Sequence, residues 1–211
     1  MTIKATSLLS IAAIWGAMIA AVAIRPEAWW SLFFAALATG AVGISAMRRL
    51  GLSRLAAISG IWGGTAAAIA SDSGAAWMAI FAFLATGATV YSFMRRDAYL
   101  NGIGIAAAWA ASGAMAARDT DAAWTAVFAF LTAATIAKSR SRAKRGIIAV
   151  IAWGATAGIA IPNEGYYWLC VFAFLATTAM FFGGGFPVPR RFEWDILDRG
   201  DDDGDHVRTV H

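Results

Sequence analysis

Charge is scarce in this chain, and its placement excludes more than its quantity does. Of 211 residues, 14% are Asp, Glu, Lys or Arg and 60% are apolar, against about 25% and about 45–50% in an ordinary soluble domain. The uncharged stretches are 5–24, 28–47, 55–71, 73–94, 98–117, 122–137, 146–163 and 165–189. No charged residue falls deep inside any of them, which argues against proton relays, ion pathways and coupled transport, since those expose ionisable side chains within a bundle. Cys170 is the single cysteine, so no disulfide forms within one chain and no multi-cysteine metal site exists. The two histidines, His206 and His211, lie in the last residues. No metal-spaced His/Cys cluster, Ser/His/Asp set or phosphate-cradling glycine loop occurs, so the sequence leads us to expect no cofactor, no metal and no enzymatic activity.

What is present is hydrocarbon in measured lengths. A helix needs about 20 apolar residues, in a range of about 17–25, to cross a bilayer. The eight stretches, separated by short charged breaks, fit eight such crossings. A soluble helical core would show a polar stripe recurring every 3.6 residues; here the polar residues well inside the stretches are almost all Ser and Thr. The formal charge of +4 does not point to nucleic acid. Fifteen of the seventeen Lys and Arg sit at segment ends or in the short connections, where they orient membrane segments and present no solvated basic face to phosphates. Lys4, an apolar run and Ala21-Val22-Ala23 imitate a signal peptide; Trp15 within that run belongs to a repeated series, so the run is read as the first helix.

The series is exact in spacing. Trp15, Trp62, Trp109 and Trp153 are 47, 47 and 44 residues apart, and so are Trp30, Trp77, Trp124 and Trp168. The two tryptophans of each copy are 15 apart, and Phe34, Phe81, Phe128 and Phe172 follow in register, as do Leu37, Leu84, Leu131 and Leu175. The chain therefore reads as an all-α polytopic membrane protein: eight transmembrane helices in four tandem, parallel two-helix repeats at approximately 5–49, 55–96, 98–142 and 146–189. Residues 1–189 are expected to form the transmembrane domain, and 190–211 an acidic, disordered cytoplasmic tail. The turns within copies fall at "RPEA" (25–28), "SDSG" (71–74), "RDTD" (118–121) and "PNEG" (162–165), and the links between copies at 47–54, 94–102 and 138–145. The turns hold two positive charges, Arg25 and Arg118, whereas the other side holds thirteen. That places both termini in the cytoplasm. Either a closed pseudo-fourfold ring or an open row of hairpins satisfies this pattern.

The first helices of the copies are rich in Gly and Ala, with small-xxx-small pairs at Gly60/Gly64 and Gly154/Gly158, and are expected toward the bundle centre. The second helices carry Trp, Phe and Leu on one face and are expected toward lipid or a partner. Trp30, Trp77, Trp124 and Trp168 lie just past the turns, where indoles anchor at the headgroup boundary. Trp15 lies ten residues before Arg25, about 15 Å below the turn, where its ring N–H needs an acceptor. Thr39 descends to a similar depth; Thr86 and Thr177 match it, while the third copy has Ala133 preceded by Thr132. An indole-to-threonine hydrogen bond pinning each hairpin is the expectation. The alternatives are that Trp15, Trp62, Trp109 and Trp153 merely fill volume, or ring a central path.

The turn acids Glu27, Asp72, Asp119, Asp121 and Glu164 are out of register, so solvated turns are preferred over a cation-selecting ring. In the tail, "DDDGDH" lacks the Gly position and terminal Glu of a calcium loop, and "FEWDIL" (192–197) is a candidate docking helix. Functionally, the sequence favours a non-enzymatic membrane scaffold or oligomeric membrane component. The alternative is a passive channel or small-molecule facilitator. The expected partners are the lipid bilayer and a further copy or another membrane protein, and nucleic acid is not among them.

Overall fold

In the computed structural model, residues 2–45, 51–91, 99–138, 146–163 and 165–182 are described. Residues 46–50, 92–98 and 139–145 of the links between copies, Glu164, and 183–211 with the glycines of the exit, Pro187, Pro189 and the tail lie outside the described residues. Among the described residues eight α-helices follow one another: α1 (Thr2–Ile24), α2 (Leu32–Ser45), α3 (Leu52–Ser71), α4 (Met78–Tyr91), α5 (Tyr99–Arg118), α6 (Thr125–Lys138), α7 (Gly146–Ala160) and α8 (Leu169–Phe182). No strand is present among the described residues.

The helices end where the turn residues fall. Pro26 opens a 3₁₀ turn over Pro26–Ser31, consistent with a ring that presets φ and donates no N–H. Asp72 Oδ1 accepts from Gly74 N at 2.8 Å, and Asp119 Oδ1 accepts from Asp121 N at 3.0 Å. Both carboxylates thus fold the chain back on itself at the start of the next 3₁₀ turn, Ser73–Trp77 or Thr120–Trp124. The fourth turn is built differently. Pro162 disfavours helix in the residue before it, α7 stops at Ala160, and Gly165 takes φ +91°, a left-handed conformation suited to glycine.

Among the described residues five stretches are long and apolar enough to cross a membrane: Ala5–Ile24, Pro26–Ile44, Ser73–Tyr91, Leu100–Arg118 and Thr120–Lys138. Five of the eight expected crossings meet that measure among the described residues. The helices of the fourth copy are shorter, Gly146–Ala160 and Leu169–Phe181. α3 is not among the five; Arg54 near its start, with Ser53, Ser59, Gly60, Gly63, Gly64 and Thr65, lowers its hydropathy. An all-helical chain with five such helices fits a membrane-embedded protein.

The helices pack as two layers. α1, α3, α5 and α7 lie side by side in one, and α2, α4, α6 and α8 in the other; each pair α1/α2, α3/α4, α5/α6 and α7/α8 bridges the layers. Among the described residues α1 does not pack on α7, nor α2 on α8, so the arrangement is an open row. This overturns the placing of the first helices at a bundle centre. Their layer has an outer face of its own, where Gly16, Gly63, Ala110 and Gly154, each one residue past its tryptophan, are exposed. The physical reason is that their small residues serve sideways contact within the layer. A Cβ on Gly60 would run into Ala106, one on Gly64 into the Trp109 carbonyl, and one on Gly113 into the Gly64 backbone. α3 and α5 therefore meet backbone to backbone, the approach that small residues permit. Gly154 and Gly158 have open space where their Cβ would stand, so the second small-xxx-small pair meets no other helix among the described residues.

Candidate functional site

The buried interior holds one indole per hairpin among isoleucines, methionines and many alanines. Trp62, Trp109 and Trp153 are fully buried, as are Ala82, Ala85, Ala126, Ala129 and Ala133 on the facing layer; Trp15, in the end hairpin, is half-buried. The indoles stand in a line along the row and surround no axis. An indole has one donor and no acceptor, so burying it raises the question of where its N–H points.

In two hairpins the answer is threonine. Trp15 Nε1 donates to Thr39 Oγ1 at 2.9 Å, and Trp62 Nε1 to Thr86 Oγ1 at 2.9 Å. The hydroxyls in turn donate to carbonyls one helical turn back, Thr39 to Ala35 O at 2.9 Å and Thr86 to Ala82 O at 2.8 Å. Each hydroxyl therefore both accepts and donates, and pins the two helices of its hairpin at depth. The fourth hairpin keeps both residues without joining them. Thr177 Oγ1 bonds only Ala173 O, at 2.8 Å, and Trp153 Nε1 has no partner among the described residues. The early stop of α7 before Pro162 accompanies this difference. In the third hairpin the register position is Ala133; Trp109 Nε1 and the hydroxyl of Thr132 are both buried without partners among the described residues. That hairpin is pinned elsewhere, by Ser112 Oγ and Thr125 Oγ1 at 2.8 Å. The pair was readable in principle: Ser112 lies three residues past Trp109 and Thr125 one past Trp124, positions held by Thr65 and Met78 in the second copy.

The tryptophans near the turns form a second repeated motif. Each meets the phenylalanine one helical turn later edge to face: Trp30–Phe34, Trp77–Phe81, Trp124–Phe128 and Trp168–Phe172 have ring centroids 6.1, 5.6, 5.8 and 5.5 Å apart. This arrangement suits the ring quadrupoles. The same phenylalanines then reach forward into the next hairpin, as Phe34–Phe83, Phe81–Phe130 and Phe128–Phe174 at 6.5, 6.2 and 5.9 Å. The aromatic ridge is thus largely a ladder within the layer. Trp77 and Trp124 are half-buried along it, and Trp30 and Trp168, at the two ends, are exposed.

The turns are cross-linked as well. Arg25 Nη2 donates to Ser71 O at 2.8 Å and Nε to Ala70 O at 3.4 Å, placing a guanidinium at the C-terminal carbonyls of α3, where a cation is favoured. Thr120 Oγ1 donates to Asp72 Oδ2 at 2.7 Å. The bonds from Gly74 and Thr120, with Arg25 nearby, hold the Asp72 carboxyl below the usual carboxylate range. Among the described residues no three of His, Cys, Asp and Glu come together as a metal-sized group. Cys170 is buried in α8. These features join helix to helix and turn to turn. No protein-family model, curated protein or solved structure matches the chain.

Proposed function

We propose that this chain is an eight-span integral membrane protein of four tandem, parallel hairpins, with both termini cytoplasmic, acting as a non-enzymatic scaffold or oligomeric membrane component. The observation that carries the reading is the use of its interior. Three indoles are fully buried between the layers, and two of the four ring N–H groups are spent on pinning hairpins. The thirteen positive charges on the terminal side and two at the turns support the orientation. α7, with 15 residues, spans about 22 Å at 1.5 Å per residue; it crosses by thinning the bilayer locally or drawing in flanking residues.

A passive facilitator is the second reading, favoured by one observation: Trp109 Nε1 and Thr132 Oγ1 are unpaired and buried in the third hairpin. The open row of helices among the described residues favours the scaffold over a pseudo-fourfold path. Proteoliposome flux separates the two. Purified protein should leave the permeability of vesicles to water, glycerol and small ions at the protein-free level; an increase of tenfold or more for any of them refutes the scaffold. Membrane-impermeant thiol labelling from the outside should reach a cysteine at Glu27 or Ser73 and miss one at Arg49 or Arg142.

A further inference from the structure

The row of hairpins is open, and its two ends carry the two halves of an interface that the chain already forms inside itself. Where α3 meets α5, the residue two before Trp62, Gly60, faces the residue three before Trp109, Ala106. Gly64, two past Trp62, faces the backbone of Trp109, and Gly113, four past Trp109, sits on Gly64. One repeat further, the forward positions on α7 are Ile151 and Ala155. The matching rearward positions on α1 are Ala12, the Trp15 backbone and Ile19. Ile151, Ala155, Ala12 and Ile19 are all exposed.

The aromatic ladder breaks at the same edges. Phe34, Phe81 and Phe128 each meet a phenylalanine of the following hairpin. Phe172, their equivalent in α8, is 56% exposed. The position on α2 that would receive it is Ala36, also exposed, a shallow site where the other copies place a ring. Large exposed apolar side chains concentrate in the first and last hairpins, and among the described residues the third has none. Lipid alone could cover such surfaces; the matching register of both edges selects another occupant.

We propose that the α7/α8 edge of one copy docks on the α1/α2 edge of a second copy, extending the row head to tail with Phe172 seated over Ala36. Isoleucines stand where Gly60 and Gly113 stand inside the chain, so this seam is wider than the α3/α5 seam and closes through side chains. A head-to-tail contact of this kind ends in a ring or runs on as a filament. The inference rests on the scaffold reading and names its partner.

The test uses the full chain in native membranes with Cys170→Ala as background. Ala12→Cys combined with Ile151→Cys should give, under mild oxidant, a reducible ladder of dimers and larger species; either substitution alone should give none. The bond cannot form within one copy, because α1 and α7 lie at opposite ends of the row. Ala155→Trp should abolish the ladder. Unmodified protein released in mild detergent should exceed one chain in mass. A paired variant that stays monomeric overturns the proposal, as does a single-chain mass. Dimers from Ala114→Cys alone, without the ladder, overturn it in favour of docking through the outer Gly/Ala face. The same preparation scored for flux keeps the two readings apart: no ladder with tight vesicles removes only the docking, whereas leaky vesicles remove the scaffold.

Discussion

Thr86→Val isolates the indole-to-threonine bond. Valine keeps the shape of threonine and deletes the oxygen on which Trp62 Nε1 rests. Two hydrogen bonds are lost, and they differ in weight. The bond from Thr86 to Ala82 O goes to a carbonyl already used by the helix, and such back-bonds contribute little or slightly destabilise. The other loss strands a buried indole N–H, which costs about 1–3 kcal/mol; coupling across membrane helices averages about 0.6 and reaches about 1.7 kcal/mol. A destabilisation of about 1–2 kcal/mol follows. The fourth hairpin supplies the control. Thr177 is equally buried and makes the same back-bond, at 2.8 Å to Ala173 O, but carries no indole, so Thr177→Val should change stability by less than about 0.5 kcal/mol. Equilibrium unfolding in mixed micelles, followed by tryptophan fluorescence, measures both, and a cycle with Trp62→Phe gives the coupling. Equal losses at Thr86 and Thr177, or a coupling near zero, would refute the reasoning.

Two adjacent glycines should respond in opposite directions. Gly64→Ala drives a Cβ into the Trp109 carbonyl and should cost about 1–3 kcal/mol as overpacking. Gly63→Ala meets open space and should be neutral or gain up to about 1 kcal/mol from helix propensity; thermal midpoints in detergent rank them. In the third hairpin, Ala133→Ser returns an acceptor to the register position opposite the unpartnered Trp109 N–H. It should raise stability by about 0.6–1.7 kcal/mol, with the indole proton resonance shifting downfield. The Asp72 carboxyl, lowered from 3.8 by its bonds to Gly74 and Thr120, contributes stability that is complete above its unfolded value and is lost as pH falls through the folded one. Melting from pH 7 to pH 3 should therefore show a drop below about pH 4 that Asp72→Asn lacks; identical profiles would count against the turn contact.

Some of this architecture was legible because it is periodic. Tryptophans spaced 47, 47 and 44 residues apart demand equivalent environments, and the turn residues mark where α1, α3 and α5 stop. The depth match of Trp15 with Thr39 and of Trp62 with Thr86 was also readable, since rise per residue converts spacing into height. What periodicity could not supply is rotation. Height places Trp153 beside Thr177 as surely as Trp62 beside Thr86, yet the indole misses the hydroxyl, because a turn that begins at Pro162 delivers the helices differently. Likewise, a stripe of small residues states that something approaches closely without stating what. Gly60/Gly64 and Gly154/Gly158 look alike as strings, but only the first pair has a following hairpin to meet.

The four copies share a scaffold and divide the work of holding it. The first and second hairpins are pinned internally by an indole and a threonine. The third is pinned by Ser112 and Thr125, and joins the second through glycine contacts in the membrane-depth layer and Thr120 to Asp72 at the turn. In a row where each unit touches only its neighbours, stability approximates a sum of unit and interface terms. The tightest interface lies in the middle, between α3 and α5. The fourth hairpin has neither an indole pin nor a further neighbour within its own chain. Of the positions through which earlier hairpins receive a successor, α8 carries Phe172 in register with Phe34, Phe81 and Phe128, whereas α7 carries Ile151 where α3 carries Gly60. An exposed edge that carries the aromatic rung without an internal pin is the one on which the proposed second copy would dock.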